Sequence, residues 1–342
     1  MSSAAVVMDA FGGADVLTLR RVEVAEPAPD QVLLRVLATT VNHLDVDVRD
    51  GTSRMPIPLP HVLGREIVGE VVRAGDGSSA RLGQRYLVLP NVPCGRCARC
   101  LGGHANLCRE GYLPGISGWG GYAEHVLVPA RGLVPIGDLT PEVAAATPIS
   151  FGTAWRMLYV AGRTLPGETV LVVGAAGGLG HASVQLAKLG GARVIALISD
   201  PAKEQLVRDC GADEVVSTRA EDWPHRAVEA AGAAGIDVVI EHVGGTVFEN
   251  IVPLVNETGR ILVGGGHGGE HPRLDVIETF RKELQLIGVR SQTPADIERV
   301  LDLAASGLIR PHIDSIRPLA QVRAAHEALT ARSVLGKQVI VP

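Results

Sequence analysis

Aromatic residues are scarce in this chain, and positive charge is never concentrated in one place. Phe, Tyr and Trp together make up 3% of the 342 residues, and the formal net charge is -5. Single-stranded nucleic acid is usually bound on aromatic stacking platforms, and both nucleic acid and anionic membranes attract runs of Lys and Arg. The composition therefore argues against nucleic acid and anionic membranes as partners.

Long apolar runs and a secretory leader are also missing. No stretch approaches the roughly 18 apolar residues of a membrane-spanning helix. The N-terminal segment MSSAAVVMDAFGG has no basic region followed by an apolar core, which a signal peptide would have. We therefore expect a cytoplasmic protein. Hydrophobic residues account for 46% of the chain, enough for two cores, and the length favours two domains.

Cysteine is rare, but four of the five cysteines lie within fifteen residues of sequence. Cys94, Cys97, Cys100 and Cys108 have the spacing C-x2-C-x2-C-x7-C. Four thiolates in such a loop bind one tetrahedral Zn²⁺, and a site with four sulfur ligands has no open coordination position. The pattern therefore predicts one structural zinc ion. Zinc-bound thiolates and the single remaining thiol, Cys210, suit a reducing compartment.

The pattern of strands and helices changes along the chain. Short strand-like runs separated by prolines occupy the first third, for example residues 31–37 and 67–72. From residue 169 onward, candidate strands alternate with helical segments; these strands are residues 170–173, 194–198, 214–217, 238–242, 261–263 and 286–289. This alternation predicts an α/β fold with a doubly wound parallel sheet. Residues 337–341 form a last predicted strand.

A glycine-rich turn follows the first of these alternating strands. The sequence VLVVGAAGGLGH, residues 170–181, indicates a buried strand, a turn and the start of a helix. Glycines let backbone N–H groups approach a pyrophosphate at the positive end of that helix. The predicted contacts are Gly174, Gly177, Gly178, Leu179 and Gly180. The turn therefore predicts dinucleotide binding; the alternative is a tight turn without a ligand.

The end of the second alternating strand indicates which dinucleotide is bound. NAD enzymes usually carry an acidic residue there, which holds the ribose 2′-hydroxyl, but this chain has Ile198. Ser199 and Lys203 are predicted to bind a 2′-phosphate instead. Asp200 precedes Pro201, which is a common arrangement at a helix start, so Asp200 is interpreted as a helix cap. The strand end therefore favours NADPH over NADH.

The order of these features resembles the medium-chain dehydrogenase/reductase superfamily over essentially the whole chain. The segments that carry the resemblance are VNHLD (41–45), LGREIVG (63–69), GGYAE (120–124), GTAW (152–155) and EHVGG (241–245). The resemblance implies a GroES-like, β-rich catalytic domain over residues 1–140 and 289–342, interrupted by a Rossmann domain over residues 141–288. It also implies a homodimer that pairs near residues 286–289, with a tetramer as the alternative.

The chain departs from the zinc alcohol dehydrogenases of this superfamily at the catalytic metal. The positions that match the catalytic zinc ligands are Asn42, Arg65 and Ile149, and Leu44 matches the hydroxyl of the proton relay. A guanidinium has no acceptor atom and an isoleucine side chain has no donor atom. Glu66 alone cannot hold zinc. We therefore expect one zinc ion per chain and no Lewis acid at the reaction centre.

The VNHLD segment resembles the quinone oxidoreductase-like and enoyl reductase branches of the superfamily. Those branches reduce activated C=C bonds with NADPH and need no catalytic metal. The resemblance therefore implies an NADPH-dependent oxidoreductase acting on an enone, a quinone or an enoyl thioester. Two alternatives stay open. One is carbonyl or alcohol chemistry without catalytic zinc, and the other is a redox-silent or redox-neutral biosynthetic protein on the same fold.

Four residues are the candidate catalytic groups. Asn42 orients the substrate or the nicotinamide ribose, and Arg65 stabilises an enolate or carboxylate. Asp47 matches a proton donor of some relatives, although a carboxyl group can donate at pH 7 only if burial raises its pKa. The resemblance implies that Thr153 lies against the nicotinamide.

Each of these candidates has a structural alternative. Asn42 is a candidate loop cap, Arg65 a candidate ion-pair partner of Glu66 or Asp45, and Asp47 a candidate solvated side chain. Water is the alternative proton donor. The remaining cofactor contacts that the resemblance implies are His43, Val243, Gly264 and Gly265, in addition to Thr153. His43 is a candidate contact of the cofactor pyrophosphate, and its alternatives are a proton relay and ordinary packing.

Overall fold

The computed structural model describes residues 1–342, which form two compact units. The first unit combines Met1–Ile149 with Thr293–Pro342, and the second unit contains Ser150–Gln292. None of the helices is both long and apolar enough to span a membrane.

Fifteen strands and eleven α-helices make up the two units. The strands are β1 (Ser2–Met8), β2 (Leu17–Glu23), β3 (Gln31–Thr40), β4 (Ile67–Ala74), β5 (Arg85–Val88), β6 (His125–Pro129), β7 (Leu133–Pro135), β8 (Thr169–Val172), β9 (Arg193–Ile198), β10 (Glu214–Ser217), β11 (Ile236–Glu241), β12 (Val255–Val263), β13 (Gln285–Gly288), β14 (Ile313–Pro318) and β15 (Lys337–Val341). The helices are α1 (His43–Asp50), α2 (Ala98–Leu101), α3 (Pro141–Ala146), α4 (Pro148–Trp155), α5 (Gly178–Leu189), α6 (Glu204–Asp209), α7 (Trp223–Ala231), α8 (Gly245–Ile251), α9 (Val276–Arg281), α10 (Pro294–Ala305) and α11 (Val322–Thr330).

The first unit is built on a seven-stranded sheet in the order β14-β15-β3-β4-β5-β7, with β6 also paired to β3. The C-terminal strand β15 pairs antiparallel with the end of β3, where Val339 lies opposite Thr40. The start of β4 pairs with the same end of β3, where Ile67 lies opposite Thr39. This pairing brings three distant segments of sequence together, and it confirms the β-rich fold that was expected for this part of the chain.

The two units divide at 149/150 and 292/293, whereas the expected boundaries were 140/141 and 288/289. The packing of helix α3 explains the first of these differences. Ala144, Ala145 and Ala146 are completely buried and belong to the same hydrophobic cluster as Ile297 and Leu301 of α10. The small alanine side chains let α3 pack closely on the first unit's sheet. Consequently α3 belongs to the first unit, and the second unit begins only at Ser150.

The second unit contains a six-stranded parallel sheet in the order β10-β9-β8-β11-β12-β13. Its central strands are rich in Val, Ile and Leu and are buried on both faces, which is typical of parallel sheets. The observed strands confirm the predicted doubly wound sheet, with bounds within a few residues except that β12 starts earlier. The strand order reverses between β8 and β11, and ligands of such sheets bind at the carboxyl ends of the strands beside this reversal.

Candidate functional site

Four cysteine side chains converge in the segment between β5 and β6. Their Sγ atoms all lie within 4.8 Å of one another, and those of Cys97 and Cys100 are 3.5 Å apart. A tetrahedral ZnS4 site with Zn–S bonds of about 2.3 Å places its sulfur atoms about 3.8 Å apart. All four cysteines are free of disulfides. The cluster therefore fits one structural zinc ion, as the spacing predicts.

Backbone N–H groups donate hydrogen bonds to the cysteine sulfur atoms, which stabilises the thiolate form. The N–H groups of Cys94 and Cys97 donate to the Sγ atoms of Cys108 and Cys94, both at 3.4 Å. Backbone N–H groups, first that of Arg96, lower the pKa of Cys94 to about 7, whereas burial raises the pKa of Cys100 to about 12. Four clustered thiols do not all ionise without a counter-charge, and a divalent cation supplies that charge.

The glycine-rich turn after β8 has the geometry of a phosphate-binding turn. Gly174 has a φ of 61°, in the left-handed region that favours glycine. A Cβ atom on Gly180 would clash with the Gly174 carbonyl oxygen and lie 2.6 Å from the Ala175 Cα atom, so α5 packs directly on the turn. A Cβ atom on Gly177, the N-cap of α5, would approach nothing closer than 3.4 Å. Open space beside the first N–H groups of α5 fits a pyrophosphate.

Adding a methyl group to Gly180 is expected to have different consequences from adding one to Gly177. We expect Gly180→Ala to lower both the melting temperature and the affinity for a dinucleotide, because α5 must move away from the turn. We expect Gly177→Ala to weaken dinucleotide binding by about tenfold or more while leaving the melting temperature within about 2 °C, because its Cβ occupies ligand space only. Thermal unfolding and calorimetric titration measure both. Equal effects of the two substitutions on stability would contradict this assignment.

The carboxyl end of β11 lies next to this turn in the sheet. Glu241 is completely buried, and its Oε1 atom accepts hydrogen bonds from the N–H groups of Val243 and Gly244, both at 2.8 Å. The Gly264 N–H group donates to the Glu241 carbonyl oxygen at 2.8 Å. A Cβ atom on Gly265 would lie 2.9 Å from the His242 carbonyl oxygen. The structure therefore brings Val243, Gly264 and Gly265 together at the strand-order reversal.

His242 is a site residue that sequence reasoning missed, although it lies in the EHVGG segment. Its Nε2 atom is buried without a hydrogen-bond partner. Burial lowers the pKa of His242 to about 4, so the ring is neutral at pH 7. A Cβ atom on Gly174 would lie 3.1 Å from the His242 Cε1 atom. His242 therefore supports the phosphate-binding turn from the β11 side.

Thr153 is held by a second side chain of the same unit. Its hydroxyl group donates to Gln292 Oε1 at 3.1 Å, and both residues are buried. The Gln292 Nε2 atom is also buried and has no hydrogen-bond partner. Sequence reasoning missed Gln292, because nothing in the local pattern connects two residues that lie 139 positions apart.

The end of β9 carries no acidic side chain, as the sequence shows. Ile198 is buried and Ser199 is exposed. Asp200 Oδ1 accepts a hydrogen bond from the Ala202 N–H group at 3.2 Å, so Asp200 caps the 3₁₀ turn Pro201–Lys203 that leads into α6. This observation agrees with the interpretation of Asp200 as a cap.

A buried polar network fills the place where β3, β4 and β15 meet in the first unit. The Lys337 ammonium donates to Glu66 Oε2 at 2.6 Å and to Asn42 Oδ1 at 2.7 Å. Asn42 Nδ2 also donates to Glu66 Oε2, at 3.1 Å, and so does the Thr40 hydroxyl group. The other carboxylate oxygen accepts from the Ile149 N–H group at 2.7 Å. The side chains of Lys337 and Glu66 are 3% and 0% exposed, so the pair is shielded from water.

The hydrogen bonds in and beside this network show whether the side chains at the positions matching catalytic zinc ligands could bind a second zinc ion. Among the three positions that match catalytic zinc ligands, Asn42 uses its carbonyl oxygen for Lys337, and Ile149 offers only a backbone N–H group. Arg65 donates to the Pro90 carbonyl oxygen at 2.8 Å and to Asn91 Oδ1 at 3.2 Å. Neither Arg65 nor Ile149 has a side-chain ligand atom for zinc. The residues therefore do not fit a catalytic zinc, and Lys337 neutralises Glu66 instead.

The remaining predicted catalytic residues lie around α1. The Asp45 carboxylate accepts from the N–H groups of Asn42 at 2.9 Å and Gly64 at 3.2 Å, so Asn42 and Asp45 start the helix together. Burial raises the pKa of Asp45 to about 6, although the charge of Arg65 opposes the rise. Asp47 is half-buried and His43 is exposed. Asp45 thus interacts electrostatically with Arg65, in line with one of the alternatives open for that arginine.

Two family models match parts of this chain. Residues 28–138 match the alcohol dehydrogenase GroES-like domain, and residues 178–306 match the zinc-binding dehydrogenase domain. The quinone oxidoreductase of Rattus norvegicus is 30% identical over 97% of this chain and 95% of its own length. The NAD-dependent alcohol dehydrogenase of Sulfolobus acidocaldarius is 31% identical over 98% of both chains.

Two solved structures superpose on nearly the whole of this chain. A crystal structure of an NAD-dependent alcohol dehydrogenase superposes with a TM-score of 0.94 at 36% identity and covers 99% of both chains. The 2-octenoyl-CoA carboxylase reductase CinF, solved in complex with NADP and 2-octenoyl-CoA, superposes with a TM-score of 0.88 at 27% identity. It covers 99% of this chain and 87% of CinF.

Proposed function

Because the chain belongs to the medium-chain dehydrogenase/reductase superfamily and is an NAD(P)H-dependent oxidoreductase, we propose that it uses NADPH to reduce the C=C bond of an α,β-unsaturated carbonyl compound without a catalytic metal. The substrate is an enone, a quinone or an enoyl thioester. The one zinc ion, bound by the four cysteines, is structural.

The observation that carries this proposal is the network of Lys337, Glu66 and Asn42. In a site without a Lewis acid, an isolated carbonyl or alcohol group is poorly polarised. A conjugated alkene is easier to reduce, because negative charge spreads to a remote oxygen. The ion pair of Lys337 and Glu66 bonds to Asn42 and to the Ile149 backbone, two of the positions that match catalytic zinc ligands. A salt bridge in that place, without a Lewis acid, favours alkene reduction.

The chain's own residues have three tasks in this reaction. When bound, the nicotinamide supplies a hydride to the β-carbon of the substrate, and charge then develops on the carbonyl oxygen. In the first unit, we assign Arg65 to stabilise that charge and Asn42, held by Lys337, to orient the substrate. Asp47, or water, delivers the proton to the α-carbon.

In the second unit, we assign the cofactor to the carboxyl edge of the parallel sheet. Gly174, Gly177, Gly178, Leu179 and Gly180 hold the pyrophosphate at the start of α5. The residues that would hold the cofactor's nicotinamide half lie on the β11 and β12 side of the strand-order reversal; they are Val243, Gly264, Gly265 and Thr153. His43, at the start of α1, stays a predicted cofactor contact.

The preference for NADPH rests on the end of β9. Ile198 provides no carboxylate for a ribose 2′-hydroxyl, and the exposed Ser199 hydroxyl and the Lys203 ammonium provide donors for a 2′-phosphate. The relatives include an NAD-dependent alcohol dehydrogenase as well as the NADP complex of CinF, so direct binding measurements decide between the cofactors.

The experiment follows NADPH and NADH consumption against a panel of enones, quinones and enoyl thioesters, with products identified by mass spectrometry and NMR. The proposal predicts a two-hydrogen gain at the C=C bond of one class, with NADPH as the better cofactor. The second candidate, metal-independent carbonyl or alcohol chemistry, is favoured by the alcohol dehydrogenases among the relatives. It predicts turnover of simple ketones or alcohols instead. Tight NADPH binding without any turnover would favour a redox-silent or redox-neutral role.

We also propose a homodimer formed through the edge of the second unit's sheet. Strand β13 is an edge strand, and the neighbouring helix α9 exposes Val276, Ile277 and Phe280, whose exposed fractions are 67%, 58% and 62%. Clustered exposed apolar side chains beside an unpaired strand edge are typical of an interface. Light scattering is expected to give about twice the chain mass of 35.8 kDa; the mass of one chain would contradict the proposal.

A further inference from the structure

Asp200 and Arg219 meet at the carboxyl ends of two neighbouring strands. Asp200 follows β9 and Arg219 follows β10, and the two strands pair in parallel. The N–H group and the hydroxyl group of Thr218 both bond to the Ile198 carbonyl oxygen, at 2.8 and 3.3 Å, which fixes the two strand ends together. The Arg219 guanidinium then lies 3.6 Å from Asp200 Oδ1.

The ion pair with Arg219 changes how Asp200 can interact with the adenosine ribose of a bound nucleotide. Asp200 is the acid nearest in sequence to the strand end where NAD enzymes hold the ribose 2′-hydroxyl. Its Oδ1 atom already accepts the Ala202 N–H group, and the positive charge of Arg219 offsets its negative charge. An unneutralised Asp200 would repel a 2′-phosphate. Arg219 therefore offsets a negative charge that opposes NADPH.

Arg219 is also accessible to a ligand. Its side chain is 66% exposed, and that of Asp200 is 38% exposed. An ion pair this exposed and this long is weak, so it is easily exchanged. A phosphate carries more charge than a carboxylate, and a guanidinium binds it through two parallel hydrogen bonds. Ser199 precedes Asp200 in sequence and Lys203 lies in the 3₁₀ turn that Asp200 caps, so two further donor side chains come from neighbouring positions.

We propose that Arg219 selects NADPH by binding the 2′-phosphate of the adenosine ribose, while its charge stays close enough to offset that of Asp200. This inference rests on the proposed use of NADPH and adds the residue that decides it. NADH lacks the 2′-phosphate, so Arg219 does not increase the affinity of the protein for NADH. Removal of Arg219 also leaves Asp200 free to accept the ribose 2′-hydroxyl of NADH.

The test compares Arg219→Ala with the full-length wild-type protein by calorimetric titration. We expect the Kd of NADPH and that of adenosine 2′,5′-bisphosphate to rise about tenfold or more, and the Kd of NADH to stay the same or fall. Arg219→Lys is expected to recover part of the NADPH affinity, since it keeps the charge and loses the paired hydrogen bonds. The matched control is Arg226→Ala, because Arg226 is an exposed arginine of the same unit that pairs with Asp222. The control is expected to change none of these values.

The outcomes separate this inference from the proposed function. A wild-type protein that binds NADH more tightly than NADPH overturns the proposed cofactor. A wild-type protein that prefers NADPH, together with an unchanged preference in Arg219→Ala, overturns the role of Arg219 alone. Equal weakening of NADPH and NADH by Arg219→Ala, with a lowered melting temperature, also overturns it, because the residue would then support the fold.

Discussion

Lys337→Met is expected to lower the free energy of unfolding by about 3 to 5 kcal/mol, because it leaves the Glu66 carboxylate buried without its counter-ion. The Lys337 ammonium and Glu66 Oε2 are 2.6 Å apart, and neither side chain has appreciable contact with water. Asn42 also loses the donor that fixes its amide oxygen. Chemical denaturation followed by circular dichroism measures the change.

The matched control for this prediction is Lys188→Met. Lys188 binds Asp213 at 2.9 Å, but both side chains are about one-third exposed, and such pairs contribute at most about 1 kcal/mol. The double variant Lys337→Met with Glu66→Gln is expected to recover much of the lost stability, since no charge is then left buried. If Lys337→Met costs no more than Lys188→Met, the buried pair does not organise the site as we infer.

Cys97→Ala is expected to remove the zinc ion and to destabilise the first unit. The substitution leaves three ligands for a metal that binds four in structural sites, and zinc binding contributes directly to the stability of such loops. We expect the zinc content to fall from one per chain to near zero and the melting temperature to fall by roughly 10 °C. Elemental analysis and thermal unfolding on the same sample check both.

Cys210→Ala provides the comparison for this second prediction. Cys210 lies outside the cluster, where its sulfur accepts a hydrogen bond from Gln185, so its removal is expected to leave the zinc content unchanged. Full zinc content and an unchanged melting temperature in Cys97→Ala would contradict the assignment of the four cysteines as one structural site.

The features that were predictable from sequence are those encoded by neighbouring residues. The parallel sheet follows from alternating strands and helices, and the cysteine cluster follows from spacing within one loop. The glycine turn also lies in a single short segment. In each case the residues that meet in space are close together in the chain, so the local pattern contains the necessary information.

The network around Glu66 could not be derived in the same way. Lys337 lies 271 residues after Glu66, and the two meet only because β15 returns to pair with β3 beside β4. The missing zinc ligands were visible in the sequence, but the lysine that balances Glu66 was not. Arg219 is a similar case, because its contact with Asp200 depends on β9 and β10 being neighbours. The partners of Arg65 lie in the loop after β5, whose path has no sequence signature.

The measurement that tests the central claim most directly is the product formed from 2-cyclohexenone and NADPH. This substrate offers both a C=C bond and a C=O bond, and the two reductions give products of equal mass that NMR distinguishes. Alkene reduction without a catalytic metal predicts cyclohexanone. The allylic alcohol 2-cyclohexenol would contradict the account, because it requires polarisation of the carbonyl group that the Lys337 and Glu66 network is inferred not to provide.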